Sequence, residues 1–291
     1  MKLKTTIIGV LLILNILFVL VPQLIGMNTA EATDRASLQW GTRYYMSQDE
    51  QDASYGACVA IKAYFDYYGG YNYVSNYYGI NTQQAAVLGN ISLCESNYDY
   101  ATVFYKGHAG TSNFGCGYTH HYIHDNEGGD YQNGIWDFGV GYYTANGKHD
   151  FVFLWACGVA NEEGGTCGTH GWWGFPASWL HTTNLADNGY TETTDNGPNC
   201  YIGFINYSKP FTEWTGYSAY YYRYWCTYFY LHCLRDGLSI KDALDAASLT
   251  TMNIESFDDT VLYNGYWFYW DGVNYWSKMW VYGNGDIQLP N

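Results

Sequence analysis

Short unbroken apolar runs, rather than alternating ones, punctuate this chain. Residues 151–155 (FVFLW) pass without a polar interruption into Ala156 and Cys157, and the pattern stops at Gly158. Residues 101–105 form a similar run, which ends in Lys106 and the turn Gly107-His108-Ala109-Gly110, and residues 200–207 (CYIGFINY) form a third. Such runs predict strands buried on both faces, the kind found in parallel sheets. Between them the period changes. Ala57, Ala60, Ile61, Tyr64 and Phe65 fall on one helical face, so residues 52–68 are expected to be a helix stopped by Gly69-Gly70. Residues 37–45 and 71–78 read as two further strands. A helix capped by Asn81 or Thr82 is expected to run to about Cys94. Residues 118–123 suggest a hairpin strand. Residues 215–235 and 239–250 read as two helices, the second capped by Ser239, and residues 276–289 as a closing strand. Alternating strands and helices predict an α/β fold with a mainly parallel sheet covered by helices. No repeat or disordered linker divides residues 33–291, so one domain is expected.

Composition narrows the class. The chain has 33 Tyr, 33 Gly and 12 Trp, with only 13% charged residues and a formal net charge of -15. That balance argues against nucleic acid as a partner, because phosphate binding requires basic patches. At the amino terminus, Lys2 and Lys4 precede an apolar run over residues 7–21, and Ala30-Glu31-Ala32 offers a cleavage site. Residues 1–32 therefore read as a signal peptide, and their length also allows retention as an anchor. The expectation is a secreted or surface-tethered protein whose only membrane contact is through this segment. Eight cysteines in such a protein suggest disulfides, with Cys167 and Cys200 the leading pair. Cys226 and Cys233, two helical turns apart, are read as buried free thiols. Asn90 and Asn206 open glycosylation sequons.

The candidate chemistry lies at two strand ends. A thiol at the carboxyl end of a buried parallel strand sits where open α/β sheets hold their ligands. His108 ends another such strand, so the two could form a nucleophile and its acid–base partner. Other groups compete. His170 lies in a Thr-His-Gly sequence after the thiol. His120, His121 and His124 beside Asp125 have the look of a zinc cluster. Asp125, Glu127 and Asp130 around Gly128-Gly129 could hold calcium, but they lack the full EF-hand spacing, so a solvated acidic turn is the favoured reading and no metal is required.

The order of His108 before Cys157, each closing a buried strand (VFYKGHAG, FVFLWACG), resembles the clan of caspases, legumain, gingipain and clostripain. Those proteins carry strands ending in His-Gly and Ala-Cys. The resemblance extends by pattern over residues 37–291, including CYIGFINYS, LRDGLSIKDALDAA and YGNGDIQLP. It departs at Ala109, which stands between the histidine and Gly110, and at Gly158, where the family often has a polar residue. It implies a caspase-like three-layer sandwich and a cysteine endopeptidase acting on polypeptides. Cys157 would be the nucleophile and His108 the acid–base partner. The backbone N–H groups of Gly110 and Cys157 would be the oxyanion donors. Members that cut after Arg or Lys use an acidic pocket, for which Asp187, Glu192 and Asp195 are the candidates. A catalytically inactive relative, serving as an extracellular binding or envelope protein on the same scaffold, is the alternative.

Overall fold

In the computed structural model, residues 34–43, 46–78, 82–125, 134–161, 164–183 and 198–290 are described. The strands are β1 (Arg35–Gly41), β2 (Tyr73–Tyr78), β3 (Tyr100–Lys106), β4 (Ala109–Asn113), β5 (Thr119–Ile123), β6 (Ile135–Trp136), β7 (His149–Trp155), β8 (Gly165–Cys167), β9 (Gly171–Trp173), β10 (Cys200–Ile205), β11 (Tyr266–Trp270) and β12 (Val273–Gly283). The helices are α1 (Gln48–Tyr67), α2 (Gln84–Asn97), α3 (Asp137–Tyr143), α4 (Phe175–Leu180), α5 (Tyr222–Arg235), α6 (Ile240–Met252) and α7 (Val261–Asn264). Among the described residues, seven strands form one sheet in the order β11-β12-β10-β7-β3-β1-β2. From β10 to β2 every pairing is parallel, and β11 and β12 close the other edge antiparallel.

The period of two along the strands divides the interior into two cores. On one face Phe104, Phe151, Phe153, Trp155, Ile202 and Phe204 pack with Ile61 and Phe65 of α1, Trp225 and Phe229 of α5 and Leu244 of α6. On the other, Val103, Tyr105, Val152, Leu154 and Tyr201 pack with Val87 and Ile91 of α2, Val140 of α3 and Trp179 of α4. Burial on both faces is why the runs carry no polar alternation. The architecture is the expected α/β three-layer sandwich, with a mainly parallel sheet and helices on both faces. Residues from Asp34 onward cluster as one unit.

Several boundaries differ from expectation. β1 stops at Gly41, and the last rung of its ladder with β3 is the Thr42 N–H donating to the Lys106 carbonyl at 3.2 Å. α5 begins at Tyr222, not near Thr215, because Thr215 and Tyr220 close a turn sealed by a bridge between Trp214 and Tyr221. β11 was not anticipated, although Asp271-Gly272, both at positive φ, is a strong two-residue hairpin signal. Within the described part of the segment after Cys157 lie the β8–β9 hairpin and α4, and all six residues of α4 are buried. α4 packs into the core beneath β7 and β10. The expected disulfides are absent: all eight cysteines are free thiols, including Cys167 and Cys200, and Cys226 and Cys233 are buried as anticipated. The amino-terminal segment lies outside the described residues. No described helix is long and apolar enough to cross a membrane.

Candidate active site

β3 and β7 are adjacent and parallel, and their last paired residues are Lys106 and Trp155. His108 and Cys157 each lie two residues beyond that pair. The sheet therefore delivers both to the same carboxyl edge, at equivalent positions on neighbouring strands. Both line one cavity of about 390 Å³. Its other walls are Met46, Ser47 and Glu50 from the start of α1, residues 207–210 and Thr212 after β10, and Phe268 and Trp270 of β11.

The backbone on each side of the cavity is held in place. The buried Tyr105 hydroxyl lies 2.9 Å from the His108 carbonyl and 3.0 Å from the His124 carbonyl. The His124 N–H donates to the same His108 carbonyl at 3.0 Å. This close approach needs a glycine at 107, where a Cβ would fall 2.0 Å from the Tyr105 hydroxyl oxygen. The His124 ring packs edge-on to that of His108, 6.4 Å between centroids. Burial, with His108 beside it, holds His124 down at about 4, so it stays neutral near pH 7. On the thiol side, Gly158 turns at positive φ and donates its N–H to Asn206. The Ser208 N–H donates to Cys157 Sγ at 3.4 Å, with the Ser208 hydroxyl 3.6 Å from the sulfur.

Lys106, immediately before Gly107-His108, is buried and pairs with Glu50 at 3.0 Å. Glu50 also accepts from the Phe211 N–H at 2.8 Å and from the N–H and hydroxyl of Thr212, both at 2.9 Å. Burial alone would raise its carboxyl, but the Lys106 ammonium and these donors outweigh burial and hold it below the usual range. Tyr207 stacks on Phe268 at 4.4 Å, an aromatic wall. The Lys209 ammonium pairs with Glu213 and lies 4.2 Å from the Tyr266 ring centroid.

Gly110 does not line this cavity. It lies on β4 opposite Tyr122, and a Cβ there would meet the Tyr122 hydroxyl at 2.5 Å. The His124-to-His108 bond sets the antiparallel alternation, which turns the Gly110 N–H toward β5 and the Ala109 N–H away from it. Asp187, Glu192, Asp195, Glu127 and Asp130 lie outside the described residues. Asp125 is buried and accepts from the Gln84 N–H at 3.1 Å, anchoring the start of α2 rather than facing solvent in an acidic turn. The sequon amides are occupied: Asn90 donates to the Ala86 carbonyl at 2.9 Å and Asn206 to the Trp276 carbonyl at 2.7 Å.

The histidines of β5 do not converge. His120 and His124 lie on one face of the strand with Tyr122 between them, and His121 lies on the other. His120 belongs to a separate cluster. Its Nε2 is 3.2 Å from Cys116 Sγ, and its Nδ1 is 2.8 Å from Asp137. Cys116, His120 and Cys167 bring their ligand atoms within 4.8 Å of one another. Burial opposes charge on His120, but Asp137 first, then Cys116, outweigh it and hold the imidazole up at about 9. His170 packs against His120, Phe114 and Phe138, away from the Cys157 cavity. Sequence reasoning missed this cluster because its two halves, 116–120 and 167–170, lie far apart in the chain.

No family model matches this chain, and no curated protein resembles it in sequence.

Proposed function

We propose that this protein is a cysteine endopeptidase that cleaves polypeptides with Cys157 and His108. The observation that carries the proposal is the placement of both residues two positions beyond one β3–β7 pair, facing a shared cavity. His108 takes the Cys157 thiol proton, the thiolate attacks the scissile carbonyl carbon, and the carbonyl electrons move to oxygen. The Ala109 and Cys157 N–H groups take the place of the Gly110–Cys157 pair as oxyanion donors, since the Gly110 N–H faces β5. One such donor contributes about 3 kcal/mol to the barrier. When the C–N bond breaks, His108 gives its proton to the departing amine. Water then attacks the thioester, His108 takes a proton from it, and the acid leaves as the thiol returns. The Ser208 N–H on the sulfur stabilises the anion before attack.

The described cavity does not support a preference for basic side chains, because its one carboxylate, Glu50, is committed to Lys106. The Tyr207–Phe268 wall favours apolar substrate side chains. The alternative reading, a non-catalytic binding protein, draws on a different observation: the β11–β12 hairpin exposes Trp267, Tyr269, Trp270 and Trp276. Labelling with a peptidyl electrophilic ketone separates the two. Capture at Cys157, lost in Cys157→Ala together with peptide cleavage, is the expected result. Folded protein that neither labels nor cleaves any peptide in a degenerate library overturns the peptidase reading.

A further inference from the structure

A second cluster of reactive side chains lies on the far side of the His108 hairpin. β4 and β5 are joined by a loop in which Gly115 and Gly117, both at positive φ, flank Cys116. The Asn113 side chain accepts from the Gly115 N–H at 2.8 Å and folds that loop back. The thiol is thereby returned to the first turn of β5, 3.2 Å from Nε2 of the buried His120. Cys167, at the end of β8, approaches from a separate hairpin, whose β9 stacks Trp173 on Tyr118 at 4.5 Å. The Cys167 sulfur accepts the His170 N–H at 3.4 Å, which turns residues 168–170 around it. The His170 ring lies 5.3 Å from that of His120, centroid to centroid.

The geometry points to a zinc site formed by Cys116, His120, Cys167 and His170. Three features carry it. First, two thiols and an imidazole nitrogen from two hairpins lie within 4.8 Å of one another. A tetrahedral zinc ion at about 2.3 Å from sulfur and about 2.1 Å from nitrogen separates its ligand atoms by roughly 3.6 Å, so small adjustments seat these three, and His170, whose ring lies 5.3 Å from that of His120, completes the set by turning toward them. Second, His120 is oriented as a ligand. One ring nitrogen faces the thiol and the other donates to Asp137 at 2.8 Å. That carboxylate is itself fixed by the N–H groups of His121 at 2.9 Å and Gly174 at 2.8 Å. A carboxylate behind a ligating histidine sets its tautomer and strengthens the bond to metal. Third, Cys116 is partly exposed, which leaves a path for the ion. A thiol, imidazole and carboxylate in series also suit a nucleophilic triad, but a second thiol beside the first has no part in one. Two thiolates with two imidazoles form a closed set of soft ligands, the structural kind. Binding releases the two thiol protons and the His120 Nε2 proton to solvent, and forms four coordinate bonds with no redox change. The ion would tie the β8–β9 hairpin to the β4–β5 hairpin, whose first residue follows His108.

The test uses the full chain without its amino-terminal segment, purified without chelator. Elemental analysis should find about one zinc per chain. Reconstitution with cobalt should give a tetrahedral visible spectrum and a thiolate-to-cobalt band that falls by about half in Cys116→Ser or Cys167→Ser. Asp137→Asn, which keeps every ligand, should weaken zinc binding roughly 10–100-fold. If the cysteine variants do not fold, chelator treatment of the unaltered protein should still lower its melting temperature, and zinc should restore it. Three outcomes overturn the site: no metal at stoichiometric levels with free zinc present; a Cys116–Cys167 disulfide in the protein as isolated; or rapid alkylation of Cys116 unaffected by zinc. A cobalt spectrum unchanged by His170→Ala overturns the fourth ligand.

Discussion

Glu50→Gln tests whether the ion pair beneath the cavity positions it. In the folded protein the Glu50 carboxylate accepts from Lys106 at 3.0 Å and from three donors of Phe211 and Thr212 at 2.8–2.9 Å. An amide offers one acceptor oxygen and places an NH2 where an acceptor is needed, so Lys106 stays buried without its counter-ion. At an effective dielectric near 20, charges 3.0 Å apart attract by roughly 5 kcal/mol. Desolvation of the pair offsets much of that in the intact protein, but removing one partner leaves the other's desolvation uncompensated, and such changes cost about 3–5 kcal/mol. In a domain of this size that corresponds to a fall in melting temperature on the order of 10 °C. The pH dependence has a definite sign. The folded carboxyl sits below its ordinary value of 4.5, so the stabilisation is fully present above that value. It is lost as pH falls through the folded value. Urea unfolding followed by tryptophan fluorescence at pH 7 and in acid should therefore show a large difference between variant and parent at pH 7, shrinking in acid as the parent protonates. A difference under about 1 kcal/mol at pH 7, or one that does not change with pH, would refute the assignment of a net stabilising buried pair.

Other consequences follow from the same geometry. His108→Ala should lower peptide cleavage on the order of 10²-fold or more while Cys157 remains accessible to small alkylating agents; a smaller loss removes His108 from the dyad. Tyr105→Phe deletes the hydroxyl shared by the His108 and His124 carbonyls. It should cost about 1–3 kcal/mol in urea unfolding and reduce kcat more than KM, and an unchanged kcat would show that His108 needs no such support. Gly107→Ala forces a methyl against the Tyr105 hydroxyl and the Thr42 side chain. It should destabilise by about 1–3 kcal/mol, and a neutral effect on the melting temperature would mean that this approach is not tight.

The layered α/β fold was legible in the chain because burial on both faces of a parallel strand leaves a continuous apolar run. The runs ending at Lys106 and at Trp155 marked β3 and β7 and brought His108 and Cys157 to strand ends. The cap of α6 was legible for the same reason, since Ser239 accepting from the Asp242 N–H is a local contact. Where a contact depends on the register of distant segments, the chain was mute. Gly110 read as an oxyanion donor until β4 paired with β5 and turned its N–H into the ladder. Cys167 read as a partner for Cys200, but strand placement put Cys200 in the sheet core and Cys167 beside Cys116. α4 was not anticipated in the glycine- and tryptophan-rich stretch after Cys157, and its six consecutive buried residues make it part of the core. Local periodicity specifies which segments are strands or helices. Only the packing of those segments, driven by burial of their apolar faces, decides which reactive side chains meet.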